Sequence, residues 1–286
     1  MNLVNLDFSL TKVAPNGIRR ILCSEQILPL RNEIAHLLVE RGFVSQEMSL
    51  GDVHTQISKE LQPNADDGIN QVTQSFYETN LAFQRGYFGL IKHLANVMKF
   101  DFIFQWVPTI RFLFPGPMPA LFLTSQGYRN HHSDTMLGHP FEEINFWVPF
   151  TRCYGTNALL MSSVQDGVTV LHRFCKDINY DADVYHQRGA ELFLKKMKTD
   201  EHFCQSVGEI CSPAQMEFGE VLIFDPRCIH ATNHNTEQHT RISMDFRIIP
   251  LDLYEKMTHD YRSGRRGKRF VRGDLFHPQT AFELTI

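Results

Sequence analysis

The chain has 286 residues, 43% of them hydrophobic, and a formal net charge of −4. That length buries a substantial core, and the mild acidity gives no electrostatic reason to expect a nucleic-acid partner. The opening MNLVNLDFSLTK lacks the apolar centre of a secretory signal, and the apolar run 107–124 is broken by Arg111 and four prolines, so a membrane span is not expected. Cys23, Cys153, Cys175, Cys204, Cys211 and Cys228 form no CxxC pair and read as reduced, mostly buried thiols of a cytoplasmic protein.

In chain order, residues 27–43 carry Leu30, Ile34, Leu37 and Leu38 at helical spacing, with Gly42 near the end. Residues 69–100 read as one long helix or two, with Gly86 and Gly89 as candidate breaks. From about residue 109 the periodicity moves towards two. Candidate strands are 110–114, 120–125, 142–150, 157–163, 168–172, 220–224, 228–233 and 240–249, interrupted by a helix near 184–197. The chain is therefore expected to be mainly β with helical additions, a sandwich or barrel. As one domain it divides into a helical N-terminal layer (1–104), a β core (105–250) and a C-terminal helix with a basic tail (251–286). In that last segment Arg262, Arg265, Arg266, Lys268, Arg269 and Arg272 read as a solvated or self-docking segment.

The stretch 128–150, YRNHHSDTMLGHPFEEINFWVPF, gathers histidines and acids just ahead of a strand. His132-Ser133-Asp134 is an HxD, a weak signal alone but well placed in a polar segment beside a rigid strand. Along 142–150, Ile144, Phe146, Val148 and Phe150 face one way while Glu143, Asn145 and Trp147 face the other, a pocket-lining pattern. GEVLIFDPRCIH, 219–230, is a buried strand, a Pro turn and a second strand that delivers His230, with His234 and His239 as nearby competitors. Two histidines and one carboxylate on facing strands make the facial triad of non-haem Fe(II) oxygenases, which leaves coordination positions open.

TRISMDFRII, 240–249, sets Ile242, Met244, Phe246 and Ile248 on one face and Arg241, Ser243, Asp245 and Arg247 on the other. A buried guanidinium needs an anion, and Arg binds carboxylate in a fixed fork. A 2-oxoglutarate carboxylate is one such anion, with Ser243 as a second donor. A structural Arg–Asp pair on the sheet face is the alternative.

HxD, a distant His, and an Arg eleven residues later followed by x-Ser resemble the Fe(II)/2-oxoglutarate-dependent oxygenases. HSDTMLGHPFEEINFWVPFTRCYGTNALLMSS and GEVLIFDPRCIHATNHNTEQHTRISMDFRIIP are similar to their StrG-like group and more distantly to phytanoyl-CoA hydroxylases, over about residues 105–250. The resemblance implies a double-stranded β-helix (jelly-roll, cupin-like) core. It implies iron ligation by His132, Asp134 and His230, and 2-oxoglutarate held by Arg241 with Ser243. Asn145, Trp147 and Asn157 match pocket-lining strand positions. Arg111, in PTIRFLFPGP, either binds cosubstrate or substrate or pairs with an acid.

The implied reaction uses Fe(II), O2 and 2-oxoglutarate, hydroxylates an unactivated C–H bond, and releases succinate and CO2. Asp134 stands where related halogenases leave space for halide, which favours hydroxylation or another oxidative outcome such as desaturation, epimerisation or cyclisation. An Arg anchor rather than Lys argues against a JmjC-type protein hydroxylase. Tyr128, Arg129, His131, His139, Glu142, Glu143, Arg152 and Tyr154 are candidates to surround the entrance and favour a small polar substrate: a sugar, sugar acid, aminoglycoside-like compound or amino-acid derivative. Phe112, Phe114, Phe141 and Phe146 keep an acyl substrate open. A cupin-like metalloenzyme that does not use 2-oxoglutarate is the competing class.

Overall fold

The computed structural model describes residues 17–64, 69–117, 128, 130–178, 188–257 and 270–285. The expected strand at 120–125, Arg129, and the basic residues from Arg262 to Arg269 lie outside the described residues.

Helix α1 (Ser24–Glu40) buries Ile27, Leu30, Ile34, Leu37 and Leu38, the stripe that its three- and four-residue spacing demands. Residues 69–100, expected as one long helix or two, form two helices, α2 (Gln71–Ser75) and α3 (Leu81–Met98). The break is set by asparagine caps rather than by glycine: Asn70 accepts from Thr73 N and Asn80 from Phe83 N, at 2.8 and 2.9 Å. Gly86 and Gly89 stay inside α3.

The main sheet is antiparallel and six-stranded: β1 (Ile18–Leu22), β7 (Glu220–Phe224), β4 (Ile144–Pro149), β9 (Arg241–Pro250) and β2 (Phe102–Phe104) in spatial order, with β3 (Thr109–Leu113) also paired to β9. Strands β1 and β2 accompany the helices within residues 1–104, expected as a helical N-terminal layer. A second antiparallel sheet runs β6 (Ser212–Ala214), β5 (Leu159–Met161), β8 (His230–Thr232). The segment at His132 bridges β8 on its free side.

The register sorts the main sheet into two faces, because residues directly opposite in adjacent strands share a face. Phe146 lies opposite Phe246 and Val148 opposite Met244. This apolar face packs with Ile110, Phe112, Val221 and Ile223 against α1 and α3 in the largest core. The other face carries Asn145 opposite Arg247, Trp147 opposite Asp245, and Arg111 opposite Ser243. Towards β7 this face closes apolarly on the second sheet, where Trp147, Leu222 and Phe224 meet Leu159, Met161, Ala214 and Cys228.

The expected strand at 168–172 is instead part of helix α4 (Val164–Phe174). Ser163 caps it, accepting from Asp166 N at 3.1 Å, and Gly167, Val168, Val170, Leu171 and Phe174 are buried at helical spacing. Helix α5 (Arg188–Thr199) corresponds to the expected helix near 184–197, and α6 (Glu201–Gly208) and α7 (Leu251–Lys256) follow later in the chain. Among the described residues, no helix is long and apolar enough to cross a membrane.

Candidate metal and cosubstrate site

The site lies between the two sheets. His132 and His230 face each other as a backbone pair, with His132 N donating to His230 O at 3.1 Å and His230 N to His132 O at 2.8 Å. Each ring is oriented by its own chain: His132 Nδ1–H donates to Asn130 O at 2.7 Å and His230 Nδ1–H to Cys228 O at 3.1 Å. A carbonyl only accepts, so each ring donates through Nδ1 and leaves Nε2 as the atom turned to a metal.

Asp134 opens a 3-10 turn (Asp134–Leu137) capped by Ser133. Its Oδ1 lies 4.0 Å from His132 Nε2 and 3.8 Å from His230 Nε2. The three donor atoms are within 4.8 Å of one another. That separation suits three ligands around one first-row ion.

The protonation states fit the same use. Burial pushes the His132 ring down to about 3, helped by His230, so it is neutral near pH 7. Burial works to raise the Asp134 carboxyl, but Arg247 and the surrounding histidines outweigh it and hold it well below the usual carboxylate range. The site therefore offers a neutral His132 imidazole and an anionic Asp134 carboxylate beside the His230 ring.

Arg241 is 1% exposed. Its guanidinium spans the two sheets, donating to Asn157 O at 3.0 Å and Thr232 Oγ1 at 2.9 Å, with the Trp147 ring 5.7 Å from its Cζ. Burial pushes it down to about 10. Among the described residues no carboxylate pairs with Arg241, and its Nε, Ser243 Oγ, Asn157 Nδ2 and both polar atoms of Asn145 are buried without a hydrogen bond. Such a cluster of buried unsatisfied donors is costly unless a ligand completes it. The buried guanidinium and the Ser243 hydroxyl fit a carboxylate ligand.

Arg111 pairs with an acid: its Nε donates to Asp245 Oδ1 at 2.9 Å, and its side chain is 41% exposed. Asn157 sits in a 3-10 turn (Gly155–Asn157) just before β5, not on the strand, because its Oδ1 accepts from Tyr154 N at 2.8 Å and closes that turn.

Several entrance candidates are committed elsewhere. His131 is buried against Tyr128, which packs on the core around α6. Arg152 pairs with Glu217 at 2.8 Å and lies over Tyr154. Glu143 is fully buried and bonded to His139. Phe112, Phe114 and Phe146 belong to the helix-side core and Phe141 to the α6 core. Sequence reasoning missed a role for Arg247, whose Nε donates to Asp134 Oδ2 at 3.1 Å. The one available signal was its placement, two-residue periodicity putting it on the face of Arg241 and Ser243.

A set of two imidazoles and a carboxylate with positions left open defines a candidate non-haem metal centre. No protein-family model matches the chain. The chain is similar to the streptomycin biosynthesis protein StrG of Streptomyces griseus, 28% identical over 146 residues, which are 51% of this chain and 48% of that protein. The match thus spans about half the length of this curated relative. The resemblance to StrG thus rests on a measured sequence similarity as well as on motifs. Among solved structures, the non-heme alpha-ketoglutarate-dependent carbocyclase SnoK from nogalamycin biosynthesis aligns at TM-score 0.48 and 13% identity, over 91% of this chain and 90% of its own. AviO1 from Streptomyces viridochromogenes Tue57 aligns at TM-score 0.42 and 12% identity, over 82% and 90%.

Proposed function

We propose that this chain is an Fe(II)/2-oxoglutarate-dependent oxygenase that hydroxylates an unactivated C–H bond of a small polar metabolite, releasing succinate and CO2. The observation that carries this reading is Arg241, a buried guanidinium without an acid partner among the described residues, on the same face as unsatisfied Ser243 and Asn145 and between the same sheets as the His132–Asp134–His230 cluster. The order β7-β4-β9-β3 facing β6-β5-β8 and the His132 segment reads as a double-stranded β-helix.

In this reading His132, Asp134 and His230 would hold iron, and Arg241 with Ser243 would hold a carboxylate of 2-oxoglutarate. Asn145 and Trp147, on the same sheet face, would flank that cosubstrate. Bound iron and 2-oxoglutarate supply the oxidising power for O2 activation. The chain's own part is to hold the substrate's C–H bond in place and exclude bulk water. Asp134 fills the carboxylate position, which favours hydroxylation over halogenation. The polar face along β9 favours a hydrophilic substrate, and the phenylalanines that would suit an acyl chain are spent in other cores.

The test is anaerobic addition of Fe(II) and 2-oxoglutarate to the metal-free chain, read as a visible difference spectrum. A weak charge-transfer band that Arg241→Ala removes is the expected result. Metal binding without such a band would instead favour a cupin-like enzyme that does not use 2-oxoglutarate.

A further inference from the structure

We propose that Arg247 is the positioning residue of the metal carboxylate: by engaging Oδ2 of Asp134 it leaves Oδ1 as the single oxygen offered to the metal. This rests on the reading of His132, Asp134 and His230 as the metal ligands.

Asp134 has two oxygens with different fates. Oδ1 is the atom near both histidine Nε2 atoms. Oδ2 accepts from Arg247 Nε at 3.1 Å. A carboxylate free to rotate could chelate through both oxygens and use up a coordination position that an oxygenase needs open. A guanidinium bonded to one oxygen prevents this.

Arg247 is itself held on several sides, as a positioning group must be. Glu143 Oε1 lies 3.2 Å from its Nε, Asp245 Oδ2 3.5 Å from Nη1, and Gln105 Oε1 accepts from Nη1 at 3.4 Å. Its backbone carbonyl accepts from Gln105 N at 2.8 Å. Glu143 is fully buried and takes His139 Nδ1–H at 2.9 Å. His139 is brought there by Gly138, whose positive φ of 87° turns the chain so that His139 N donates to Asp134 O. The bridge from Asp134 through Arg247 to Glu143 and His139 is thus built from both ends of the HSDTMLGHPFEE stretch.

The same arrangement gives the second convergence of ligand atoms, Asp134, His139 and Glu143, a different meaning. Two of its members already share one guanidinium, so a fixed organic cation stands where a second metal would otherwise be held. Outer partners of this kind orient the ligand they touch, and their loss typically lowers metal affinity by about 10- to 100-fold.

The test uses the full metal-free chain and Co(II), titrated anaerobically and followed by visible d–d absorption. Wild type is expected to bind one equivalent, and His132→Ala to abolish that binding. Arg247→Lys keeps the charge but loses the planar guanidinium whose Nε–H fixes Asp134 Oδ2. It is expected to bind Co(II) about 10- to 100-fold more weakly, with an altered band as Oδ2 enters the coordination sphere. Glu143→Gln, which loosens Arg247 from behind, is expected to shift affinity in the same direction by a smaller factor. Wild-type affinity and band shape in Arg247→Lys overturn the proposal; if that variant does not fold, unchanged affinity in Glu143→Gln overturns it. Loss of all Co(II) binding in the wild type, or its survival in His132→Ala, instead overturns the ligand assignment on which the proposal stands.

Discussion

His132 and His230 are joined backbone to backbone by two reciprocal hydrogen bonds, of 3.1 and 2.8 Å, while their rings stand 4.6 Å apart centre to centre. The pairing belongs to the main chain, so either side chain can be removed without undoing it. His132→Ala and His230→Ala are therefore expected to keep the fold, with a stability change within about 1 kcal/mol, and to lose bound metal. Metal content after anaerobic loading, measured beside a thermal melt, checks this. A variant that still carries one equivalent of iron would remove that histidine from the ligand set.

Arg241 gives a prediction with two signs. Without ligand, its burial without an acid partner opposes folding, and the two bonds it makes to Asn157 O and Thr232 Oγ1 offset only part of that. Arg241→Met is expected to melt at or above wild type when 2-oxoglutarate is absent. Wild type should gain about 2.7 kcal/mol at a 2-oxoglutarate concentration 100 times its Kd, and the variant should gain none. Calorimetric scans with and without the ligand decide it; an equal ligand shift in both proteins contradicts the role given to Arg241.

Much of this site was legible because its parts are local. HxD, the strand alternation around Asn145 and Trp147, and the Arg241-x-Ser243 spacing are each contained in a few residues. What was not legible depends on long-range pairing. Ile18–Leu22 reads IRRIL, with no alternation, and becomes a strand because β7 offers it an edge. Val168 and Val170 favour a strand locally, yet the Ser163 cap and the buried stripe ending at Phe174 make that segment a helix. The bond from Arg247 to Asp134 joins residues 113 positions apart, and no spacing rule announces it.

Three buried thiols and the half-buried Cys211 predict both reactivity and a pH response. Burial raises Cys23 to about 11, and Cys153 and Cys211 to about 12, and it raises Cys228 as well. Their thiolates are scarce near pH 8, so a thiol reagent should label these four slowly in the native protein and quickly after denaturation. Since the folded values lie above the ordinary value of 9.0, their contribution to stability is full below pH 9. It is lost as the pH rises towards 11 and 12, because the unfolded thiols ionise first. Peptide mapping of the labelled protein and alkaline melts test the two halves separately.

Gly167 of α4 ties the helix to the turn before His230 by close approach. A Cβ there would stand 1.9 Å from the carbonyl oxygen of Arg227 and 3.2 Å from Cys228 Cα. Those backbone atoms belong to the turn that leads from β7 to His230, and the Cys228 carbonyl accepts the His230 Nδ1–H bond. Backbone cannot step aside as a flexible side chain can, so Gly167→Ala must push either α4 or the turn. The expected result is a loss of about 1–3 kcal/mol, the usual cost of overpacking, together with weaker metal binding, because displacing Cys228 O turns the His230 ring. Ser162 sets up the contrast. Its Oγ accepts from Ile229 N at 2.8 Å in the same turn, so Ser162→Ala removes a bond without adding volume. It should cost about 1 kcal/mol and leave metal affinity closer to wild type. If both variants lower stability alike and neither changes metal affinity, the turn does not set the His230 geometry.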